Sequence, residues 1–272
     1  MPELAEVETI AQELKNVIID NKITFAKTFR KDLRIPFPDN LCDLLIDSTI
    51  LSVWRRSKYI IIDLSNKKSL IVHLGMSGRF YAQSNLTIEK HTHFYIETNK
   101  GSFLNFIDPR RFGLITLVDT DKLSESPLFS HLGPEPFSNG FTVKYFAQKL
   151  SKTTRPIKNV IMDQEIVVGV GNIYAAESLF RSKIHPERPA NSLSLAEVSI
   201  LRDKIIEILK LAIESGGSSL RDYRKADGEK GGFQELFLVY GKKGHACKTC
   251  GSLIDRIVQS GRSSFFCPNC QK

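Results

Sequence analysis

Four of the five cysteines lie near the end of the 272-residue chain in two closely spaced pairs, Cys247-x₂-Cys250 and Cys267-x₂-Cys270. Two such pairs at this separation can bring four thiolates to the corners of a tetrahedron, the geometry that zinc prefers. A segment this short buries little apolar surface, so metal binding would supply much of its folding free energy. Because four cysteines leave no open coordination position, the pattern predicts one structural zinc ion and not a catalytic one.

Two disulfides or a redox-active pair are the alternative interpretations of these cysteines. The chain begins with an acidic segment and not with a basic region followed by an apolar stretch, so we expect no signal peptide and a cytoplasmic protein. Thiols stay reduced in that compartment, which disfavours both alternatives. No run of about 18 apolar residues is present, and no membrane partner is expected. The fifth cysteine, Cys42, is interpreted as a small buried hydrophobic residue.

The residues between the two cysteine pairs, IDRIVQSGRSSFF, predict two strands joined by a turn at Gly261. Arg262 follows this turn, where it can either contact a phosphate or remain a solvated surface residue. The chain carries 38 lysines and arginines against 30 acids, a formal net charge of +8, and from position 241 onward six bases accompany a single acid. Such a charge favours a nucleic-acid partner, and a basic surface without a partner is the alternative.

Hydrophobic patterns divide the rest of the chain into two parts. An amphipathic helix is predicted at the N-terminus, and short β-branched or aromatic runs after it predict an antiparallel sandwich or barrel. Beyond a Pro- and Gly-rich boundary at 131–140, apolar residues recur at helical spacing, and one more strand, ELFLVYG, precedes the cysteines. We therefore expect three domains, at residues 1–133, 134–236 and 237–272, with a long mobile loop at 216–234.

A glycine-rich turn, VVGVGNIYAA, precedes one of the predicted helices. The pair Gly169-x-Gly171 lacks both the third glycine of a dinucleotide-binding turn and the lysine of a phosphate-binding loop, so no nucleotide cofactor is predicted. Asn172 is instead predicted to cap the helix. It either serves as a cap only or also contacts a phosphate at the helix N-terminus.

The chain begins MPELAEVET, an acidic segment in a basic protein. Proline and glutamate are ordinary residues for a first helical turn, and this role alone can explain them. A second interpretation is chemical. If Met1 is removed, Pro2 has a free secondary amine with a pKa of about 8, well below that of lysine, so more of it is nucleophilic at neutral pH. Such an amine can form an iminium with a sugar carbon, with Glu3 as acid or base and Glu6 one turn further on the same face.

Together, MPELAEVET, RRSKY, HLGMSG, DPRRFG, HLGPEP, VVGVGNIYAAESLF, GGSSLRDY and the four-cysteine segment resemble the bacterial formamidopyrimidine-DNA glycosylases, in order and over essentially the whole chain. The resemblance implies an α+β multidomain fold, with an N-terminal antiparallel β-sandwich that carries a catalytic N-terminal helix, a helix-two-turn-helix domain and a C-terminal β-hairpin zinc finger. It also implies a base-excision repair enzyme, at once a DNA glycosylase and an abasic-site lyase. Its partner would be double-stranded DNA containing 8-oxoguanine or formamidopyrimidines, nicked by β,δ-elimination. We expect a monomer in the bacterial cytosol or nucleoid.

The resemblance further assigns catalytic roles. Pro2 would be the Schiff-base nucleophile, and Glu3 the acid and base that assists base departure and sugar-ring opening. Lys58, in RRSKY, would assist proton transfer in elimination, although an ordinary strand-edge lysine is the alternative from the residue alone. Arg262 would act in the second elimination.

DNA contacts are implied as well. A flipped nucleotide leaves a gap in the base stack, which an apolar wedge and a long side chain can fill. Met76, Arg110 and Phe112 would fill it, whereas core packing is the default for a methionine or phenylalanine without the resemblance. Residues implied in phosphate contacts are His91, Lys158, Asn172 and Arg262.

The chain departs from the family pattern at two places, and two other classes of protein compete with this family as interpretations of the sequence. Position 5 is alanine where the family usually has a second proline, and SKTTRPIK is less basic than usual, so no phosphate contact is assigned to Thr153. The endonuclease VIII-like sister group shares Pro2, Glu3 and Lys58 but prefers oxidised pyrimidines. GGSSLRDY and the wedge residues argue against it. A non-catalytic zinc-ribbon protein would leave the acidic N-terminus unexplained.

Overall fold

A computed structural model of the chain describes residues 2–218 and 231–272. Its backbone clusters into two compact units, one formed by Met1–Ser130 with Ser215–Gly232 and the other by His131–Glu214 with Phe233–Lys272. The division into domains at 1–133, 134–236 and 237–272 therefore stays a prediction, and most of the predicted mobile loop lies outside the described residues. In the described ranges, no helix is both long and apolar enough to cross a membrane.

The first unit is built mainly from antiparallel strands that follow an N-terminal helix. Its elements in chain order are α1 (Leu4–Ile18), β1 (Ile23–Thr28), α2 (Leu41–Leu45), β2 (Ile50–Arg56), β3 (Tyr59–Leu64), β4 (Lys68–His73), β5 (Arg79–Gln83), β6 (Thr92–Thr98), β7 (Phe103–Ile107), β8 (Leu114–Asp119) and a 3₁₀ helix (Thr120–Glu125). The strands form two four-stranded sheets, ordered β1-β6-β7-β5 and β2-β3-β4-β8. All described strand pairs in these sheets are antiparallel, as the short runs predict.

One apolar core joins the two sheets and α1. Leu14 from α1, Ile62 and Val72 from one sheet, and Phe94 and Phe106 from the other belong to the same buried cluster. The helix packs against β2, β3 and β5. Leucine and other apolar residues at helical spacing therefore bury one face of α1 between the sheets, and the predicted sandwich with an N-terminal helix is confirmed.

The local sequence determines the β2–β3 hairpin, which carries the predicted site residue Lys58. The run SVWRRSKYIIIDL contains two strands, β2 and β3, which pair from Arg56 and Tyr59 outward. Ser57 in the turn between them has a φ of 55°, the left-handed region that a two-residue hairpin turn requires. Lys58 therefore lies at the tip of a tight hairpin. Strands β1 and β5 lie in segments for which the sequence pattern predicts no strand.

The second unit is mainly helical and ends in a two-stranded hairpin. Its elements are α3 (Val143–Leu150), α4 (Ile157–Ile161), α5 (Asn172–Arg181), a 3₁₀ helix (Ala190–Ser192), α6 (Leu195–Glu214), a 3₁₀ helix (Phe233–Leu236), β9 (Asp255–Gln259) and β10 (Arg262–Phe266). The predicted turn between the last two strands is confirmed. Ser260 and Gly261 both have positive φ, at 47° and 73°, which places Arg262 at the start of β10.

The strand predicted for ELFLVYG is wrong. The segment begins in the 3₁₀ helix Phe233–Leu236 and then runs without a strand partner. The backbone N–H groups of Leu238, Val239 and Tyr240 instead donate to the carboxylate of Glu177, at 2.9–3.0 Å. A buried side chain therefore takes the hydrogen bonds that a sheet would have used, and local sequence pattern does not reveal such a partner.

The packing of α1 predicts a contrast between two of its apolar residues. Leu14 is fully buried, whereas Val17 is 51% exposed. We expect Leu14→Ala to lower the free energy of unfolding by about 2–5 kcal/mol because it leaves a cavity between the sheets. The matched substitution Val17→Ala should change it by no more than about 0.5 kcal/mol. Urea unfolding of both variants tests this, and equal effects would contradict the packing of α1.

Candidate active site and nucleic-acid interface

The N-terminus of α1 places the predicted nucleophile and its neighbouring acid in a buried position. Pro2 is buried, and Glu3 and Glu6 are almost fully buried. Glu3 is the N-cap residue and forms a reciprocal capping box with Glu6, in which the Glu3 N–H donates to Glu6 Oε2 at 2.7 Å. The first turn is therefore held rigidly, and the start of the chain is fixed beside a carboxyl group.

Glu6 is a structural partner for a distant segment of the same unit. Its second oxygen, Oε1, accepts from the backbone N–H of Ser218 at 2.8 Å and from the Ser218 hydroxyl at 3.0 Å. Ser218 is the last described residue before the undescribed stretch 219–230. Glu6 therefore ties the beginning of α1 to the base of the predicted loop.

Another acid of the N-terminal segment supports the hairpin that carries Lys58. Glu8 Oε2 accepts from Arg55 Nε at 2.6 Å, and Arg55 Nη1 donates to the carbonyl of Ser57 at 2.9 Å. Lys58 itself is largely buried. The turn with Lys58 is thus connected through Arg55 to the first turns of α1. The acidic opening of the chain combines one predicted proton carrier, Glu3, with two acids that build its surroundings.

A pocket of about 350 Å³ lies on the first unit, lined by Arg34, His73, Gly75, Met76 and Phe112. Burial, with the positive charges of Lys58 and Arg34 as smaller contributions, lowers the pKa of His73 to about 4. The Gly75 N–H donates to His73 Nδ1 at 3.0 Å, so the neutral ring carries its proton on Nε2. Arg34 and His73 are not among the site residues predicted from the sequence. His73 is the first residue of the motif HLGMSG, and its place in that motif could have indicated a site residue.

The three predicted wedge residues lie on two loops that one carboxylate organises. Asp108 is fully buried, and its oxygens accept from the Ser77 hydroxyl at 2.7 Å, the Arg110 N–H at 3.2 Å and the Gly113 N–H at 2.8 Å. Each donor is either a wedge residue or the neighbour of one. Asp108 therefore joins the two loops, through the Ser77 side chain in one and through backbone N–H groups in the other.

The wedge side chains themselves are exposed. Met76 is 40% and Phe112 45% accessible, and the Arg110 guanidinium stacks over the Phe112 ring at 4.8 Å. Gly75 allows the loops to meet, because it has a φ of 61° and a side-chain carbon there would lie 2.4 Å from the Phe112 backbone. Core packing is thus excluded for Met76 and Phe112. The structure brings the three residues together, and their role in filling a gap in the base stack stays a prediction.

The remaining predicted contacts are distributed over both units. His91 is half-buried in the first unit, where its carbonyl accepts from the N–H of Asp108. In the second unit Arg262 is exposed, whereas Lys158 is only 1% accessible. Asn172 is the first residue of α5 and not its cap, which is Gly171. Its side chain bonds to other elements, since Nδ2 donates to the Ser263 carbonyl at 3.0 Å and Oδ1 accepts from Lys158 at 2.6 Å.

The four cysteines of the second unit lie close enough to share one metal ion. Their sulfur atoms are all within 4.8 Å of one another. Cys247 Sγ is 3.9 Å from that of Cys270, and Cys250 Sγ is 3.4 Å from that of Cys267. A tetrahedral site with zinc–sulfur bonds of about 2.3 Å has sulfur–sulfur edges of about 3.8 Å, so the donor set fits zinc. When bound, the ion would cross-link the two ends of the finger.

Family models match three consecutive parts of the chain. Residues 1–115 match the formamidopyrimidine-DNA glycosylase N-terminal domain, 132–224 the formamidopyrimidine-DNA glycosylase H2TH domain, and 244–272 a zinc finger found in FPG and IleRS. With the cysteine geometry, the third match confirms the predicted structural zinc. The matches also confirm the predicted fold class.

Curated relatives and solved structures agree with these matches. A formamidopyrimidine-DNA glycosylase of Gluconobacter oxydans is 46% identical over 277 residues, with both chains covered completely. Lactococcus lactis Fpg bound to DNA with an abasic site has a TM-score of 0.92 and 38% identity, with 99% of each chain covered. Wild-type Lactococcus lactis Fpg in complex with DNA containing N7-benzyl-Fapy-dG also has a TM-score of 0.92 and 38% identity, with both chains covered completely.

The cysteine geometry predicts one zinc per chain. Cys250→Ser should lose most of the bound zinc and unfold the finger, because one thiolate of the tetrahedron is missing. Cys42→Ser is the matched control, since Cys42 lies in the first unit, and it should keep one zinc ion. Metal analysis of the purified proteins by mass spectrometry tests both. A full zinc complement in Cys250→Ser would contradict the four-cysteine site.

The role of Asp108 predicts a loss of order in the wedge. Asp108→Asn places an amide N–H₂ against backbone donors, so we expect about 1–3 kcal/mol lower stability and faster hydrogen exchange at Arg110 and Gly113. Asp121→Asn is the control, because Asp121 is exposed in the same unit. Unchanged exchange at the wedge in Asp108→Asn would show that the two loops are ordered by other contacts.

Proposed function

Because the chain belongs to the formamidopyrimidine-DNA glycosylase family, whose members are DNA glycosylases and abasic-site lyases, we propose that it excises 8-oxoguanine and formamidopyrimidines from duplex DNA and nicks the strand by β,δ-elimination. The observation that carries the proposal is the buried start of α1, where Pro2 is held next to the capping residue Glu3. Solved relatives of the same fold bind DNA that contains a modified formamidopyrimidine or an abasic site.

The proposed first step takes place at the sugar of the damaged nucleotide. The Pro2 nitrogen attacks C1′, the bond from C1′ to the base breaks, and the base leaves with a proton. The ring oxygen is protonated as the sugar opens, and Glu3, a buried acid, is proposed to supply this proton. The product is an iminium between Pro2 and C1′. Met1 must be absent for this step, because an amide nitrogen at Pro2 is not nucleophilic.

Elimination follows from the iminium. Its positive nitrogen makes the C2′ proton acidic, and removal of this proton expels the 3′ phosphate. A second elimination expels the 5′ phosphate. In the proposal Lys58 assists proton transfer in the first elimination and Arg262 in the second. Two residues that line the pocket, the neutral His73 and Arg34, are proposed as further hydrogen-bond donors to DNA phosphates, beyond the residues predicted from sequence.

DNA binding relies on contacts from each unit. Met76, Arg110 and Phe112 are proposed to enter the base stack when the damaged nucleotide leaves it, and their exposed, stacked arrangement supports this role. His91, Asn172 and Arg262 are proposed to contact phosphates. The positive net charge supports duplex DNA as the partner. A monomer and a location in the bacterial cytosol or nucleoid complete the proposal.

Borohydride trapping tests the proposed nucleophile. The protein with Met1 removed should form a covalent complex with duplex DNA carrying 8-oxoguanine opposite cytosine. Pro2→Gly should trap far less while binding the DNA with similar affinity, and Glu3→Gln should slow base release by about 10²–10⁴-fold. The matched control is the same chain with Met1 retained, which blocks the amine without changing any side chain.

The outcomes of this experiment are distinct. Absence of trapping by a protein whose free Pro2 has been confirmed by mass spectrometry would overturn the proposed chemistry. Trapping on oxidised pyrimidines but not on 8-oxoguanine would assign the substrate preference of the endonuclease VIII-like group. Equal loss of trapping and binding in Pro2→Gly would make the segment structural.

A further inference from the structure

Lys158 occupies a position that a phosphate-binding lysine does not normally have. Its side chain is 1% exposed and is among the largest fully buried side chains of the protein. Its ammonium donates to Asn172 Oδ1 at 2.6 Å, the Ser263 carbonyl at 3.0 Å and the Ser264 hydroxyl at 2.7 Å. An ammonium group has three N–H donors, and these three oxygens account for all of them.

We infer that Lys158 is a positioning residue, which orients Asn172 and the hairpin that carries Arg262, and that it does not itself contact DNA. The inference rests on the proposed function, in which Asn172 and Arg262 contact phosphates. It also revises the role that the sequence assigned to Lys158. To reach a phosphate, the buried ammonium would have to give up hydrogen bonds that it already makes, and this exchange costs the free energy of leaving their acceptors unpaired.

The first target of Lys158 is the side-chain amide of Asn172. An asparagine amide can turn by 180° and exchange its donor and acceptor ends. The ammonium can donate only to the oxygen end, so Nδ2 is directed toward the Ser263 carbonyl at 3.0 Å and the Tyr240 hydroxyl at 3.4 Å. The second of these contacts is long, so the N–H that makes it is the one available to a phosphate while Oδ1 stays bound to Lys158. Lys158 therefore decides that Asn172 presents a donor.

The second target is the β9–β10 hairpin. Ser264 lies in β10, two residues after Arg262, and its hydroxyl donates to Gln259 Oε1 in β9 at 2.5 Å. Gln259 Nε2 continues to the Pro186 carbonyl at 3.1 Å. Because the Ser264 hydroxyl donates its hydrogen to Gln259, its oxygen is left to accept from Lys158. A chain of hydrogen bonds from α4 thus holds both strands of the hairpin.

A second buried charged group of the unit secures the remaining neighbour of Asn172. Glu177, in α5, accepts from the backbone N–H groups of Leu238, Val239 and Tyr240 at 2.9–3.0 Å. The Tyr240 ring then packs against Phe265 of β10 at 5.2 Å. Lys158 therefore fixes the side chain of Asn172, and Glu177 fixes the backbone of Tyr240 next to Asn172. Asn172 and Tyr240 are both more exposed than the charged groups that hold them.

Salt-dependent DNA binding separates positioning from direct contact. The probe is duplex DNA with a non-cleavable abasic-site analogue opposite cytosine, and the full-length, zinc-loaded protein is used. A lysine that neutralises a phosphate contributes about 0.9 to the slope of log K against log salt concentration. We expect Lys158→Met to weaken binding about tenfold and to leave the slope unchanged. Lys210→Met, which removes an exposed charge from α6 of the same unit, is the matched control and should bind like the wild type.

A double-mutant cycle supplies the second readout. If Lys158 acts through Asn172, then Lys158→Met should cost much less in an Asn172→Ala background than in the wild type. The share of product halted after the first elimination should also rise in Lys158→Met, since the hairpin with Arg262 is less firmly placed. Additive losses with a slope reduced by about 0.9 would overturn the inference and assign a direct phosphate contact.

Melting temperature and zinc content establish that the variants are folded. If Lys158→Met does not fold, Ser264→Ala removes one acceptor of Lys158 together with the donor to Gln259, and it should weaken binding by a smaller factor at unchanged slope. Wild-type affinity and product ratio in Ser264→Ala would then overturn the inference. Failure of the proposed function is recognised separately, because the wild type itself would show no preference for the abasic-site duplex and no trapping.

Discussion

Buried polar side chains are stable in a fold mainly when they find hydrogen-bond partners, and this constraint shapes three functional segments in the described part of the chain. Glu6 closes the first turn of α1 and binds Ser218. Asp108 joins the two wedge loops. In the second unit, Lys158 and Glu177 organise the surroundings of Asn172. Each of these side chains bonds to backbone or side-chain groups that are far away in sequence, so the segments it joins are fixed together.

The same constraint explains how an acidic N-terminus can serve a protein that binds an anionic partner. Carboxylates next to DNA weaken binding by repulsion, yet here Glu6 and Glu8 are bound to other parts of the same unit. Glu6 accepts from Glu3 and Ser218, and Glu8 forms an ion pair with Arg55. Glu3 takes part in the capping box, and its proposed proton transfer requires a carboxyl group at that point. At the start of α1, Glu3 is thus proposed to act in the reaction, whereas Glu6 and Glu8 stabilise the surrounding structure.

Much of the fold could be predicted from the sequence, because it depends on local pattern. Apolar spacing predicts α1 and the helices after position 140, and the Ser260–Gly261 turn predicts the final hairpin. Failures occur where a distant group replaces a local one. ELFLVYG has the composition of a strand, but Glu177 binds its backbone. Asn172 is of a residue type that often caps helices, but its side-chain amide bonds to Lys158 and Ser263.

The sequence by itself determined which chemical groups are available: a proline next to a glutamate at the start, four cysteines at metal-binding spacing and an excess of positive charge. Their order along the chain was enough to indicate the family. Only the tertiary structure decided which groups are exposed and which are consumed in holding others. Lys158 and Arg262 are both basic residues in one unit, yet one is buried with its donors engaged and the other faces solvent. Burial and hydrogen-bond partners arise from contacts between remote segments, and no local pattern encodes them.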